Sequence, residues 1–222
     1  MRQYINKKIL LYFFLFFILG TFNNKHLNNF EFPKINSIEI YGLLSDNYNF
    51  KKKLEFLKLK NIFLIDELQI KELLNSNNLI QEYKVFKKYP SSLEIEIVET
   101  QFLALTVNDG KNFFVGSNGK LIETKDIKKD LPFIFGDFDM NNFLNLKKII
   151  DKSNLEFQEI KNLYFFPSGR WDIEIFSEIL IKLPSEKLKE SLDISLDILF
   201  DEKFSNIRLI DVRQKNQVIV NE

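Results

Sequence analysis

The sequence predicts an α+β protein: one N-terminal transmembrane helix, a small β-α-α-β-β unit, then a mixed α/β unit with an extended, largely antiparallel sheet. Three observations carry this expectation. Ile9 to Phe22 contains no charged residue. In KVFKKYPSSLEIEIVE, Lys84 to Glu99, the residues Leu93, Ile95 and Ile97 alternate with Glu94 and Glu96, the period of a strand with one buried face. Beyond it, short alternating runs recur, separated by turn residues and by two amphipathic helical stretches.

The chain has 222 residues, enough for one large or two small domains. Lysine plus arginine equals aspartate plus glutamate at 31 each, so no overall field selects nucleic acid or anionic lipid. The absence of cysteine excludes disulfides, thiolate metal sites and a cysteine nucleophile.

Residues 1–8 form a short cytoplasmic tail carrying Arg2, Lys7 and Lys8, and residues 9–24 an anchor. The uncharged run is short for a bilayer span, so a signal peptide or a buried helix stays open at this point. Gly20-Thr21-Phe22 does not resemble a small-x-small cleavage site, and neutral Asn23-Asn24 can extend the segment to the interface. Cations before the run place the N-terminus in the cytoplasm. Residues 25–34 read as a juxtamembrane linker.

A first domain is expected over 35–100. Ile38 and Ile40 alternate with polar neighbours until Gly42 ends the strand. Phe50, Leu54 and Leu57 recur at helical spacing. Asn61 to Ile65 reads as a loop or short extended piece, and Asp66 with Gln69 as a capping box for a second helix with Ile70, Leu73 and Leu74 on one face. The hairpin follows, its basic arm facing its acidic arm, with Pro90 at the second position of a type I turn.

The second domain is expected over 101–222. Phe102–Val107 and Phe113–Val115 read as strands, and Ser117-Asn118-Gly119 supplies positive-φ residues for a hairpin returning through Lys120 to Ile122. Leu131 to Gly136 reads as a buried strand, and Phe143, Leu146, Ile149 and Ile150 as a helical stripe. Ile160–Phe166, Arg170–Ile175 and Ile179–Leu183 read as three more strands. Ser185 is expected to cap a helix with Leu188, Leu192, Leu196 and Leu199 on its apolar face. Asn206–Arg213, a turn at Gln214–Asn216 and Gln217–Val220 close the chain.

The spacing Ile35, Ile38, Ile40, Gly42, then Leu79-Ile80, Lys84-Val85, Tyr89-Pro90, Leu93, Ile95, Ile97 and Glu99, resembles the POTRA domain of the FtsQ/DivIB family of cell-division proteins. The second half is similar to that family's C-terminal domain at Ser117-Asn118-Gly119, Leu131–Gly136, Arg170–Ile173, Ile181–Pro184 and Ile210–Arg213. The run RWDIEI, IKLP, IDVR resembles alphaproteobacterial members. Two departures stand out: Ser177-Glu178 occupies the place of a glycine-containing turn, and Gln214 follows Arg213 where some members carry an aromatic residue.

The resemblance implies a bitopic inner-membrane scaffold of the division machinery that binds FtsB-like and FtsL-like partners through its periplasmic domain. It implies partner contacts at Arg208, Asp211, Arg213, Gln214, Gln217, Val218 and Val220, and septal recruitment through the hairpin at Val85, Lys87, Lys88, Tyr89 and Pro90. Independently of it, a terminal strand such as Asn216–Val220 offers unpaired backbone groups to which a partner can add a strand. Arg208, Asp211 and Arg213 read equally well as a surface ion-pair set. Other readings are a POTRA-bearing assembly factor or a periplasmic enzyme. Against an enzyme, the one histidine, His26, lies beside the anchor, and no nucleophile, phosphate-loop or metalloprotease motif is found. Asp137-x-Asp139-x-Asn141 begins like a calcium loop but lacks the glycine and the twelfth-place glutamate. No cofactor, metal, nucleic acid or small-molecule substrate is expected.

Overall fold

The computed structural model describes residues 7–22, 32–42, 48–125, 130–204 and 206–221. Most of the expected cytoplasmic tail and linker, Asn23-Asn24 and His26 lie outside the described residues. Helix α1 (Lys7–Phe22) is a 16-residue apolar helix. At about 1.5 Å per residue it is shorter than a hydrocarbon core of about 30 Å. Among the described residues no helix is long and apolar enough to cross a membrane.

The first folded unit runs β1 (Ser37–Tyr41), α2 (Tyr48–Leu54), a 3-10 turn at Glu55–Leu57, α3 (Glu67–Asn75), β2 (Ile80–Lys88) and β3 (Ser92–Glu99). Strand β3 is central, parallel to β1 and antiparallel to β2. Its inward residues Leu93, Ile95 and Ile97 are buried against Phe50, Leu54, Leu57, Ile70 and Leu74 from the helical layer. Asp66 caps α3 by accepting from the Leu68 N–H. Gln69 does not complete the expected box; its side-chain oxygen accepts from Lys60 Nζ at 3.1 Å. The hairpin turn also differs from expectation. The Tyr89–Pro90 peptide is cis, which puts proline at the third position of a turn rather than at the second of a type I turn.

The second unit comprises β4 (Phe102–Asn108), β5 (Lys111–Gly116), β6 (Leu121–Glu123), β7 (Phe133–Phe135), α4 (Met140–Ile150), β8 (Ile160–Phe165), β9 (Trp171–Ile175), β10 (Leu180–Lys182), α5 (Leu188–Leu199), β11 (Leu209–Asp211) and β12 (Ile219–Asn221). They form a nine-stranded sheet ordered β12-β11-β10-β9-β8-β7-β4-β5-β6, parallel at β7–β4, β8–β7 and β11–β10 and antiparallel elsewhere. One face is covered by α4 and α5: Phe143, Leu146, Ile150, Leu192 and Leu196 pack with Ile134, Leu163, Ile173, Ile181 and Ile210. Trp171 is 1% exposed in this core.

Three local expectations are corrected here. Ser185 does not cap α5; the cap position is Lys187 in a left-handed conformation with no side-chain bond, so packing of Leu192 and Leu196 rather than a cap starts this helix. In the Ser117-Asn118-Gly119 turn only Gly119 has positive φ, at 75°. The last two strands are also shorter than the alternating runs, since pairing stops at Asp211 and restarts at Ile219. Asp139 is explained structurally: its carboxylate accepts from the N–H groups of Asn141 and Asn142 and caps α4.

Candidate protein-binding surfaces

The register of the sheet brings RWD and IDVR together. Asp172 on β9 lies opposite Lys182 on β10, which lies opposite Asp211 on β11. Because Ile173, Ile181 and Ile210 point into the core, these alternating charges lie on the face away from the helices. Arg213 closes the row as a fork on Asp211, with Nε to Oδ1 at 2.8 Å and Nη2 to Oδ2 at 2.5 Å. The Arg213 N–H also donates to Asp211 Oδ1 at 3.1 Å. The Arg213 side chain holds the Asp211 carboxyl below the usual carboxylate range, against the effect of burial. Asp172 is shifted the other way. Its burial outweighs the attraction of Arg170, Lys182 and Arg213 and raises its carboxyl. Arg170 Nε stands 3.7 Å from Asp172 Oδ1, and neither atom has a hydrogen-bond partner.

This cluster corrects the expected surface set of Arg208, Asp211 and Arg213. Asp211 is only 6% exposed, so it positions Arg213 rather than offering itself to a partner. Arg208 contributes its backbone, its N–H donating to Asn221 O at 2.9 Å. Arg170, Asp172 and Lys182 complete the charge row, and no local signal in the sequence joined them to Asp211.

Strand β12 ends the sheet. Its residues Asn221, Val220 and Ile219 pair with Leu209, Ile210 and Asp211, and among the described residues its outer edge pairs with nothing. Val218, Ile219 and Val220 are 39%, 50% and 39% exposed, an apolar edge open to water. Beside it lies a groove of about 470 Å³ between the start of α5 and the turn before β12. Arg213, Gln214, Gln217 and Val218 line it, together with Glu190 and Ile194 from α5. Of the sequence-predicted contacts, these four share one surface, Val220 lies on the adjoining edge, and Asp211 stands behind Arg213. Gln217 and Val218 precede the strand instead of belonging to it.

The hairpin residues divide. Val85, Lys87 and Lys88 line a groove of about 650 Å³ between α3 and the free edge strand β2, with Ile70 and Tyr83. Lys87 reaches Glu67 at 3.1 Å, and Lys88 reaches Glu94 at 3.3 Å. Tyr89 instead stacks on Phe63, ring centroids 5.0 Å apart, and with Pro90 occupies the hairpin tip.

A joint between the two units escaped sequence reading. Asn118 Nδ2 donates to Asn78 O at 2.9 Å and Ile80 O at 3.0 Å, while its Oδ1 accepts from the Lys120 N–H at 3.1 Å. Ser117 Oγ donates to Gln81 Oε1, Asn78 Nδ2 to Leu121 O, and Lys120 Nζ to Asn75 O. Gly116 makes room: a Cβ there would stand 2.5 Å from Asn118 Oδ1 and 2.8 Å from Thr100 Oγ1. A turn motif thus doubles as a clasp. Among the described residues no cluster of histidine or carboxylate side chains is suited to hold a metal ion.

Two family models match the chain: "POTRA domain, FtsQ-type" over residues 49–100, and "Cell division protein FtsQ/DivIB, C-terminal" over residues 104–213. Neither reaches β1 or β12. Among curated proteins, a "Cell division protein DivIB" of Clostridium botulinum (strain Loch Maree / Type A3) is 31% identical over 134 residues, 60% of this chain and 51% of that protein. A "Cell division protein FtsQ" of Bradyrhizobium diazoefficiens is 24% identical over 167 residues, 72% of this chain and 48% of that protein. The chain therefore spans about half the length of the curated relatives it matches. The solved extracytoplasmic domain of DivIB from Geobacillus stearothermophilus is 15% identical, covering 42% of this chain and 86% of that one, with a TM-score of 0.33. That likeness is too loose to bear on the fold. The two family models, in the order in which the two folded units follow each other, place this chain in the FtsQ/DivIB family.

Proposed function

We propose that this chain works in cell division as a bitopic inner-membrane scaffold at the septum, joining other division proteins by protein–protein contact and without catalysis. Residues 9–24 serve as its anchor with the N-terminus in the cytoplasm, and the units at 35–100 and 101–222 stand in the periplasm. Relatives named as cell-division proteins support the role. The observation that carries the mode of action is β12: a three-residue edge strand with apolar side chains, whose outer side pairs with nothing among the described residues, beside a groove lined by Arg213, Gln214, Gln217 and Val218. An extended segment of an FtsB-like partner adds to that edge through backbone hydrogen bonds while a side chain enters the groove, with an FtsL-like partner beside it. The hairpin carrying Val85, Lys87, Lys88, Tyr89 and Pro90 serves recruitment.

The test is a pull-down of the detergent-solubilised full chain with FtsB-like and FtsL-like segments, alongside Val218→Lys/Val220→Lys. Both valines are exposed, so the double variant keeps the core. Binding lost in the variant supports the edge-strand reading. Binding that survives moves the site, and no binding by the parent chain removes the scaffold reading.

A further inference from the structure

The end of the first unit that holds the hairpin tip presents a cluster of exposed apolar side chains. Phe63 and Leu64 are 52% and 79% exposed in the loop before α3, and Leu59 is 75% exposed just ahead of them. Phe32 and Tyr89 close on Phe63 from either side, with ring centroids 6.0 Å and 5.0 Å away. Leu68, in the first turn of α3, is 67% exposed. An apolar surface of this kind on a folded unit marks a contact with a protein or a membrane.

Three features favour the membrane. First, the loop is built onto the chain arriving from α1: Ile62 N–H donates to Pro33 O, Ile35 N–H to Lys60 O and Leu59 N–H to Ile35 O. Second, Leu59 follows the cap of the Glu55–Leu57 turn with φ of 69°, a helix-ending conformation that leaves its side chain in solvent beside the loop. Third, Phe32 lies ten positions after Phe22, the end of α1, so the intervening chain spans at most about 35 Å. Lys58, Lys60 and Lys88 flank the patch with their own acidic or amide partners, as amphipathic residues do at a headgroup layer.

We propose that this end of the first unit rests on the outer surface of the membrane, with Phe63, Leu64 and Leu59 dipping into the interface and Phe32 and Tyr89 at headgroup level. The proposal rests on the reading of residues 9–24 as an anchor. It gives the scaffold a fixed posture: the first unit is seated on the bilayer, and the second unit, with β12, is held away from it.

The chain has no cysteine, so a single introduced one reports its own position. The full chain is reconstituted into phosphatidylethanolamine–phosphatidylglycerol vesicles and labelled with an environment-sensitive fluorophore at Leu64→Cys, Leu15→Cys or Val107→Cys. Val107 is 50% exposed at the end of β4 away from the first unit. Nitroxide-bearing lipids are expected to quench the labels at positions 64 and 15 and spare that at 107. Phe63→Glu in the Leu64→Cys background is expected to release quenching at 64 while leaving that at 15 intact. A label at 64 as water-exposed as that at 107, with position 15 quenched, overturns the proposal and leaves the anchor standing. An unquenched label at 15 overturns both.

Discussion

Replacing Asn118 with alanine tests whether the two units are held as one body. The substitution removes two bonds between units, to the carbonyls of Asn78 and Ile80, and the local bond that shapes the turn. A net hydrogen bond contributes about 0.5–1.5 kcal/mol, and carbonyls released at a partly exposed joint regain water, so the loss of coupling is about 1–2 kcal/mol. The remaining clasp, Ser117 to Gln81, Asn78 to Leu121 and Lys120 to Asn75, keeps the units in contact. Amide hydrogen exchange of Ile80–Glu99 reads the first unit, and unfolding followed by Trp171, the only tryptophan, reads the second. Protection in the hairpin should fall by about 5- to 30-fold, the equivalent of that energy, with the Trp171 transition almost unmoved. Unchanged exchange would show that the joint is held by something other than this side chain.

Other predictions follow from the same geometry. Gly42→Ala would place a Cβ 2.0 Å from Ile97 O at a φ of 84°, so β1 must shift from β3; urea denaturation should show a loss of at least about 2 kcal/mol. Glu178 sits at φ of 64° where glycine suits the turn, and Glu178→Gly should be neutral or stabilising by up to about 1 kcal/mol in thermal melts. Asp211 and Asp172 should respond oppositely to pH. The lowered Asp211 carboxyl contributes stability above the unfolded value near about pH 4 and loses it as pH falls through its own lower value, so Asp211→Asn costs about 1–3 kcal/mol at pH 7 and less in acid. The raised Asp172 carboxyl contributes stability below that unfolded value and loses it as pH rises, so Asp172→Asn should stabilise at pH 7 and not in acid. Urea midpoints at neutral and acid pH for both variants check the crossing; parallel behaviour would refute the assignment.

Much of the architecture was legible because it is local. Alternation in Leu93, Ile95 and Ile97 states which face of a strand is buried whatever it pairs with, and Phe143, Leu146 and Ile150 do the same for a helix. Asp66 caps its helix through a bond to a residue two places away, well within reach of a sequence pattern, whereas Asp139, which reads in the sequence as the start of a calcium-like loop, caps α4. The cis Tyr89–Pro90 bond and the absent Ser185 cap were misread because several local conformations suit the same residues. Packing selects among them.

The sequence by itself determined the order of elements, the two cores, the apolar N-terminal helix and the family motifs, all set by side-chain periodicity and turn chemistry. Beyond the hairpins, only the tertiary structure decided which strands are neighbours. Parallel pairing of β10 with β11 across the whole of α5 sets RWD against IDVR and buries Asp211, which its own neighbourhood in the chain showed as a surface charge. It also decided that β12 is an edge and that Asn118 joins two units, because hydrogen bonding between strands and across a joint depends on register, a long-range property with no counterpart in local spacing.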